Sequence, residues 1–290
     1  MSPTIPHASL LSGAALLTAA LCPGVARAEP VLPDFSAATF VPGAPIDNIY
    51  FPLVPGTTFR YEGDAVDPDE PGESEAVVLE DFVTPNTVVI NGVTAREVRA
   101  REFIDGLLIE DTRDWFAQDT AGNVWYLGEE TTEFEYDDEG NQTGSSTEGS
   151  WRAGENGAQA GFIMPANPTV GFNYFQEHAQ NDDAMDHATV GSLDATVTVP
   201  AGTFDDVLDT TESSTIDPEE FEHKFYAPGV GRVLIEEDFV DGVALNRFEL
   251  VSVDDGGAAP IPLPPAVLPG IASLGGMIVA GAWRRRRALI

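Results

Sequence analysis

Short runs in which apolar and polar residues alternate, closed at brief intervals by residue pairs that favour tight turns, confine the middle of this 290-residue chain to β structure. In Thr57-Thr58-Phe59-Arg60-Tyr61-Glu62 the aromatics fall on one face and the charges on the other. Ala195, Val197 and Val199 repeat the pattern, as do Phe248 and Leu250 against Arg247 and Glu249. Asn91-Gly92, Asp105-Gly106, Ala121-Gly122-Asn123, Glu139-Gly140-Asn141 and Asp241-Gly242 supply the positive φ angles that hairpins need. No run between the terminal segments sustains the i, i+3, i+4, i+7 spacing of an amphipathic helix, although 203–209 (TFDDVLD) is spaced like one helical turn. The expected fold is therefore all-β, an antiparallel meander of roughly ten strands with sequence neighbours pairing, which forms a curved sheet or partly closed barrel. Between Gly140 and Gly171 the alternation lapses, and a long loop is expected there, pinned to the sheet by Trp151, Phe162, Ile163 and Met164.

Charge narrows the partners. The chain carries 48 Asp and Glu against 14 Lys and Arg, a formal −34. Setting aside Arg27 and the four terminal arginines leaves nine basic residues with all 48 acids in 29–258, a formal −39. A surface so negative meets every phosphate with like charge, which excludes nucleic acid as a partner and suits a strongly hydrated exterior.

Both ends of the chain read as membrane signals. From Ala8 to Leu21 runs an apolar stretch, followed by Pro23, Gly24 and then Ala26-Arg27-Ala28, the small-x-small pattern cut by signal peptidase, so 1–28 is read as a signal peptide and Glu29 as the first mature residue. Cys22, the only cysteine, leaves with that leader, and Leu21 before it does not fit a lipid-attachment box. Near the other end, 266–283 holds no charged residue and spans about 27 Å as a helix, just enough for a hydrocarbon core of about 30 Å. Trp283 suits the lipid interface, while Arg284, Arg285, Arg286 and Arg287 stop transfer and stay on the cytoplasmic side. The expected organisation is a leader (1–28), a β-rich extracytoplasmic domain (29–255), a Gly/Pro linker with a sorting motif (256–265), a transmembrane helix (266–283) and a basic cytoplasmic tail (284–290).

Ile261-Pro262-Leu263-Pro264-Pro265-Ala266, then a short apolar helix, then an arginine cluster, resembles the VPLPA-CTERM sorting signal, a relative of the PEP-CTERM signals of Gram-negative bacteria. The resemblance covers about 260–288, with Ile261 in place of the usual valine and an extra proline at Pro265. It implies recognition by an exosortase-type sorting enzyme and a route from the inner membrane toward the cell surface or matrix. Segments 46–63, 114–129, 146–154, 199–208 and 222–233 are similar to a group of bacterial secreted β-rich proteins that has no established activity to carry over.

Catalytic motifs are missing. The single lysine, Lys224, precedes Phe225 and so belongs to no phosphate loop; G-x-G-x-x-G, G-x-S-x-G and H-E-x-x-H do not occur. No cofactor is called for and no catalytic residue is assigned. The candidate metal set is His178, Asp182, Asp183, Asp186 and His187, crowded into ten residues. Imidazole with carboxylate suits zinc or manganese, carboxylates alone suit calcium, and a solvated acidic loop is the plainer account. Three roles stay open: a non-enzymatic structural or binding protein held at or beyond the membrane, a carrier of a lipid or other hydrophobic ligand in a barrel pocket, and a hydrolase whose carboxylate or metal chemistry the sequence does not localise.

Overall fold

At Asn91-Gly92, Asp105-Gly106 and Asp241-Gly242 both residues take positive φ, 47° and 81°, 48° and 85°, 51° and 79°. That is type I′ geometry, whose twist matches the strands it joins, so each pair folds its flanking strands back on one another. The computed structural model describes residues 29–66, 74–137, 139–218 and 221–256. They form an all-β, antiparallel, nearly closed barrel.

β1 (Ile46–Asn48) and β2 (Phe51–Leu53) make a small separate hairpin. β3 (Thr58–Val66), β4 (Ser74–Ile90), β5 (Val93–Ile104), β6 (Leu107–Gln118) and β7 (Val124–Glu130) form one meander. Short strands follow: β8 (Glu133–Tyr136), β9 (Gln142–Ser146), β10 (Trp151–Arg152), β11 (Gln159–Met164), β12 (Asn173–Phe175) and β13 (Glu177–His178). A second meander comprises β14 (Asp186–Val199), β15 (Gly202–Ser214), β16 (Phe221–Ala227), β17 (Gly231–Val240) and β18 (Val243–Asp254).

Pairing of β18 with β3 joins the meanders into a wall that runs from β12 and β14 through β18, β3 and β7 to β11 and β13. Its two edges, β12 and β13, are consecutive in the chain, with only Gln176 between them. This seam is strapped from outside the wall. Val31 bridges Tyr174 in parallel, donating its N–H to Asn173 O (2.9 Å) and accepting from Phe175 N (3.0 Å).

Alternation places the core where expected. Phe59, Tyr61, Val197, Val199, Phe248 and Leu250 are buried. The opposite face is a lattice of ion pairs, Arg60 and Arg101 on Glu80, Arg99 on Asp111, Arg113 and Arg152 on Glu130, and Arg247 on Glu236 and Glu249. One end of the barrel is covered by the β1–β2 hairpin, where Phe51 meets Phe116 edge-on at 5.3 Å and Asn48 donates to Gly122 O and Pro165 O.

Two expectations need correction. Residues 203–209 are not helical; they belong to β15, where Val197 pairs with Phe204 but Ala195 with Val207, and Asp206 takes φ 55°. The extra residue of that bulge resets the two-residue period and mimics helical spacing. The stretch 140–171 contains β9, β10 and β11, with Trp151, Ile163 and Met164 buried and Phe162 packed on Trp125 at 4.5 Å. These short strands raise the count well above the ten expected, to 18 among the described residues. The expected leader, sorting motif, membrane span and arginine tail lie outside the described residues, among which no helix is long and apolar enough to cross a membrane.

Candidate functional site

The inward face of the wall is not purely apolar. Along β6, Glu110, Thr112, Asp114 and Phe116 are buried, whereas the alternate Asp111 and Arg113 join the outer ion pairs. Counting only buried groups that project from the wall strands, Asp81, Glu102, Glu110, Asp114, Glu129, Glu177 and Glu212 share the interior with Lys224 and Arg232. A low-dielectric space holding so many acids and two cations forces either donor networks or bound protons.

Both solutions occur. Around Glu212 the first prevails: Oε2 accepts from Lys224 Nζ (3.1 Å) and Gln176 Nε2 (3.0 Å), while Oε1 accepts from Thr210 Oγ1 (2.8 Å) and Tyr226 Oη (3.3 Å). Lys224, 1% exposed, also pairs with Glu222 at 3.0 Å. Burial works against its ammonium, but Glu212 and Glu222 outweigh it and hold the group above the ordinary lysine value. Nearby, Arg232 donates to Asp81 Oδ2 at 2.7 Å with its guanidinium 4.7 Å above the Tyr61 ring.

Around Tyr126 the second prevails. Its Oη lies 2.5 Å from Asp114 Oδ1 and 3.0 Å from Glu129 Oε2. A bulge sets this up: Phe116 pairs with Tyr126 but Asp114 with Glu129, so three steps on β7 match two on β6 and both β7 side chains turn inward. The extra residue falls beside Gly128 (φ 137°), where a Cβ would stand 2.4 Å from Trp151 O. The phenol ring is stacked on Phe116 at 4.9 Å and edged by Trp151 at 5.4 Å, which fixes its hydroxyl. A phenol has one proton, so it donates to one carboxyl and can only accept from the other. The second contact is a full hydrogen bond only when that carboxyl carries a proton of its own. Burial pushes Asp114 well above the usual carboxylate range, against the Tyr126 hydrogen bond and reinforced by Glu110. Burial, then Glu177, Asp114 and Glu110, does the same to Glu129. Glu110, bonded to Thr112 Oγ1 at 2.6 Å, is pushed up to about 7, by burial first, with Thr112 opposing and Glu102 adding to the rise.

The candidate metal residues are not gathered. His178 lies on β13, Asp182 in a 3-10 turn, Asp183 after it with φ 57°, and Asp186 and His187 on β14. Both imidazoles stand edge-on to Phe175, at 4.9 and 6.3 Å, but Asp182 accepts from Asn156, and His187 Nδ1 lies 3.0 Å from Asn173 Oδ1. Among the described residues no group of three or more His, Cys, Asp or Glu is placed to hold a metal ion. His223, on β16, sets Nδ1 3.2 Å from Asp209 Oδ1 and its ring 5.2 Å from Phe239, a packed strand residue.

Small clefts lie beside this interior. One of about 60 Å³ lies between 40–46 and the Gly92 to Thr94 turn; another, about 30 Å³, lies under Phe51 and Leu53 beside Asp81 and Arg232. Ligand pockets run to about 300–1,000 Å³, so each cleft is water-sized.

No protein-family model matches the chain, and no curated protein matches it. Solved structures similar to it include a candidate exported protein of Bacteroides fragilis with a YmcC-like fold, 12% identical, covering 71% of this chain and 99% of that one with a TM-score of 0.35. A candidate lipoprotein of Parabacteroides distasonis is 15% identical, with the same coverage of 71% and 99% and a TM-score of 0.33.

Proposed function

We propose that this chain is an exported protein whose acidic β-barrel is displayed on the outer side of the cytoplasmic membrane in a non-enzymatic, structural or binding role. Signal peptidase removes 1–28, the apolar segment 266–283 holds the protein in the bilayer, and an exosortase-type enzyme reads the motif from Ile261 to Ala266 on the way to the cell surface or matrix. The observation that carries the reading is the self-sufficiency of the barrel: among the described residues every ladder of its wall is formed between Thr58 and Asp254, and buried side chains of those strands fill its interior. Asp114, 1% exposed, and Glu129, 8% exposed, are enclosed among the barrel's own side chains. This favours the displayed body over the carrier and the hydrolase.

Fractionation of cells producing the full-length chain tests the address. The expected result is a membrane-bound protein cleaved by protease added outside the cytoplasmic membrane, with the quadruple replacement of Arg284 to Arg287 by Glu disturbing that orientation. Recovery of the intact chain in the cytosol overturns the proposal.

A further inference from the structure

The Tyr126 cluster stands behind the seam between β12 and β13. On β11, Gly161 pairs with Tyr126. A Cβ on Gly161 would sit 2.1 Å from Phe175 O and 2.6 Å from Gln176 O, so the seam backbone presses against the residue opposite the phenol. Only a glycine allows that approach. Gln176 is further tied to Glu212 by its side chain and to Asp186 O by its N–H, at 2.8 Å. Only short ladders hold this segment, three residue pairs of β12 with β14 and two of β13 with β11, beside these contacts and the Val31 strap.

We propose that the seam is a proton-held gate: with Asp114 and Glu129 neutral and both bonded to Tyr126 the segment from Asn173 to His178 stays shut, and when they ionise it parts and admits water. In the closed state Tyr126 donates to one carboxyl oxygen and the protonated second carboxyl donates to the phenol oxygen. Loss of that second proton leaves a carboxylate against an oxygen with nothing to give it. The charged and titratable groups facing the pair are Glu110 on β6, Tyr126 on β7, Asp81 on β4, Glu177 on β13 and Arg232 on β17. Arg232, the sole cation of that set, is already engaged by Asp81. Two new negative charges behind the seam would thus meet further acids, and hydration through the nearest weak point of the wall relieves them. Because both carboxyls are held above their unfolded values, closure is favoured at low pH and lost as pH rises through the folded values.

Amide hydrogen exchange on the full chain in bilayers, corrected for intrinsic rates, from about pH 5 to about pH 9, reads the gate. The peptide covering 173–178 should lose protection about tenfold or more while the β4–β5 ladder does not. Glu129→Gln with Asp114→Asn should keep the seam protected at the alkaline end. The infrared C=O stretch of protonated carboxyl should be present in the wild type at the acid end and fade in step with the exchange. No protonated-carboxyl band at the acid end, no selective loss at 173–178, or a double variant that opens as the wild type does each overturns the gate. The result does not depend on where the tail places the protein, so failure here leaves the proposed address standing.

Discussion

Glu212 and Glu129 are both glutamates on the inner face of one barrel, and the wall treats them in opposite ways. Glu212 is met by four donors, one of them an ammonium; Glu129 is met by one phenol that also serves Asp114, and by further acids. What differs is the supply of hydrogens on the neighbouring strands. β15 and β16 bring Thr210, Lys224 and Tyr226 to one point, whereas β6 and β7 bring carboxyls and a single hydroxyl. What the cross-strand partners can donate thus decides whether a buried carboxyl is met by hydrogen-bond donors or crowded by further acids.

The sharpest way to break this contrast is to take the cation from the first region. Lys224→Met should strand Glu212 and Glu222 and cost about 3–5 kcal/mol in urea unfolding, the range for removing one partner of a buried pair. Adding Glu212→Gln should return part of the loss, because a neutral amide needs no counter-charge.

A smaller effect should come from the second region through pH alone. Glu110 keeps its proton in the folded barrel up to about 7, whereas the unfolded chain loses it near 4.5. Stability is then fullest below the lower value and falls as pH rises toward the upper one, by about 3 kcal/mol for this one group. Unfolding midpoints followed across that window should decline in the wild type and decline less steeply in Glu110→Gln, where Asp114 and Glu129 still contribute; an unchanged slope in the variant would show that Glu110 does not carry the effect. Smallest of all should be the outer face. Arg99 is 41% exposed and bidentate on Asp111, yet Arg99→Gln should cost less than about 1 kcal/mol and show strong salt dependence, since water and ions screen that pair. If it rivals Lys224→Met, burial is not what separates the two faces.

The wall was legible from the amino-acid order because alternation and the Asn-Gly and Asp-Gly pairs act locally. Phe59 with Tyr61 and Phe248 with Leu250 needed no tertiary information to be placed inward. The acid clusters were not legible, for two reasons. On β6 both faces are charged, so nothing in 110–114 says that Glu110 and Asp114 go in while Asp111 and Arg113 go out. On β7 the bulge at Gly128 breaks the parity that would have linked Tyr126 to Glu129, as the bulge at Asp206 disguised a strand as a helical turn. Strands of two to six residues, such as β10 and β11, are too brief for any period to register. The crowding of His178 to His187 is the converse case, proximity along the chain that the fold divides among β13, a 3-10 turn and β14.

The strap at Val31 has a consequence for assembly. A chain made from its amino end produces this clasp before any of the strands it fastens, and its mate, Tyr174, belongs to an edge that exists only once β14 has paired. So distant a contact rewards its loop closure only after the strands between have paired. The barrel is accordingly a purse whose drawstring is threaded first and pulled tight at the finish, and until then both raw edges stand available to a second molecule of the same kind.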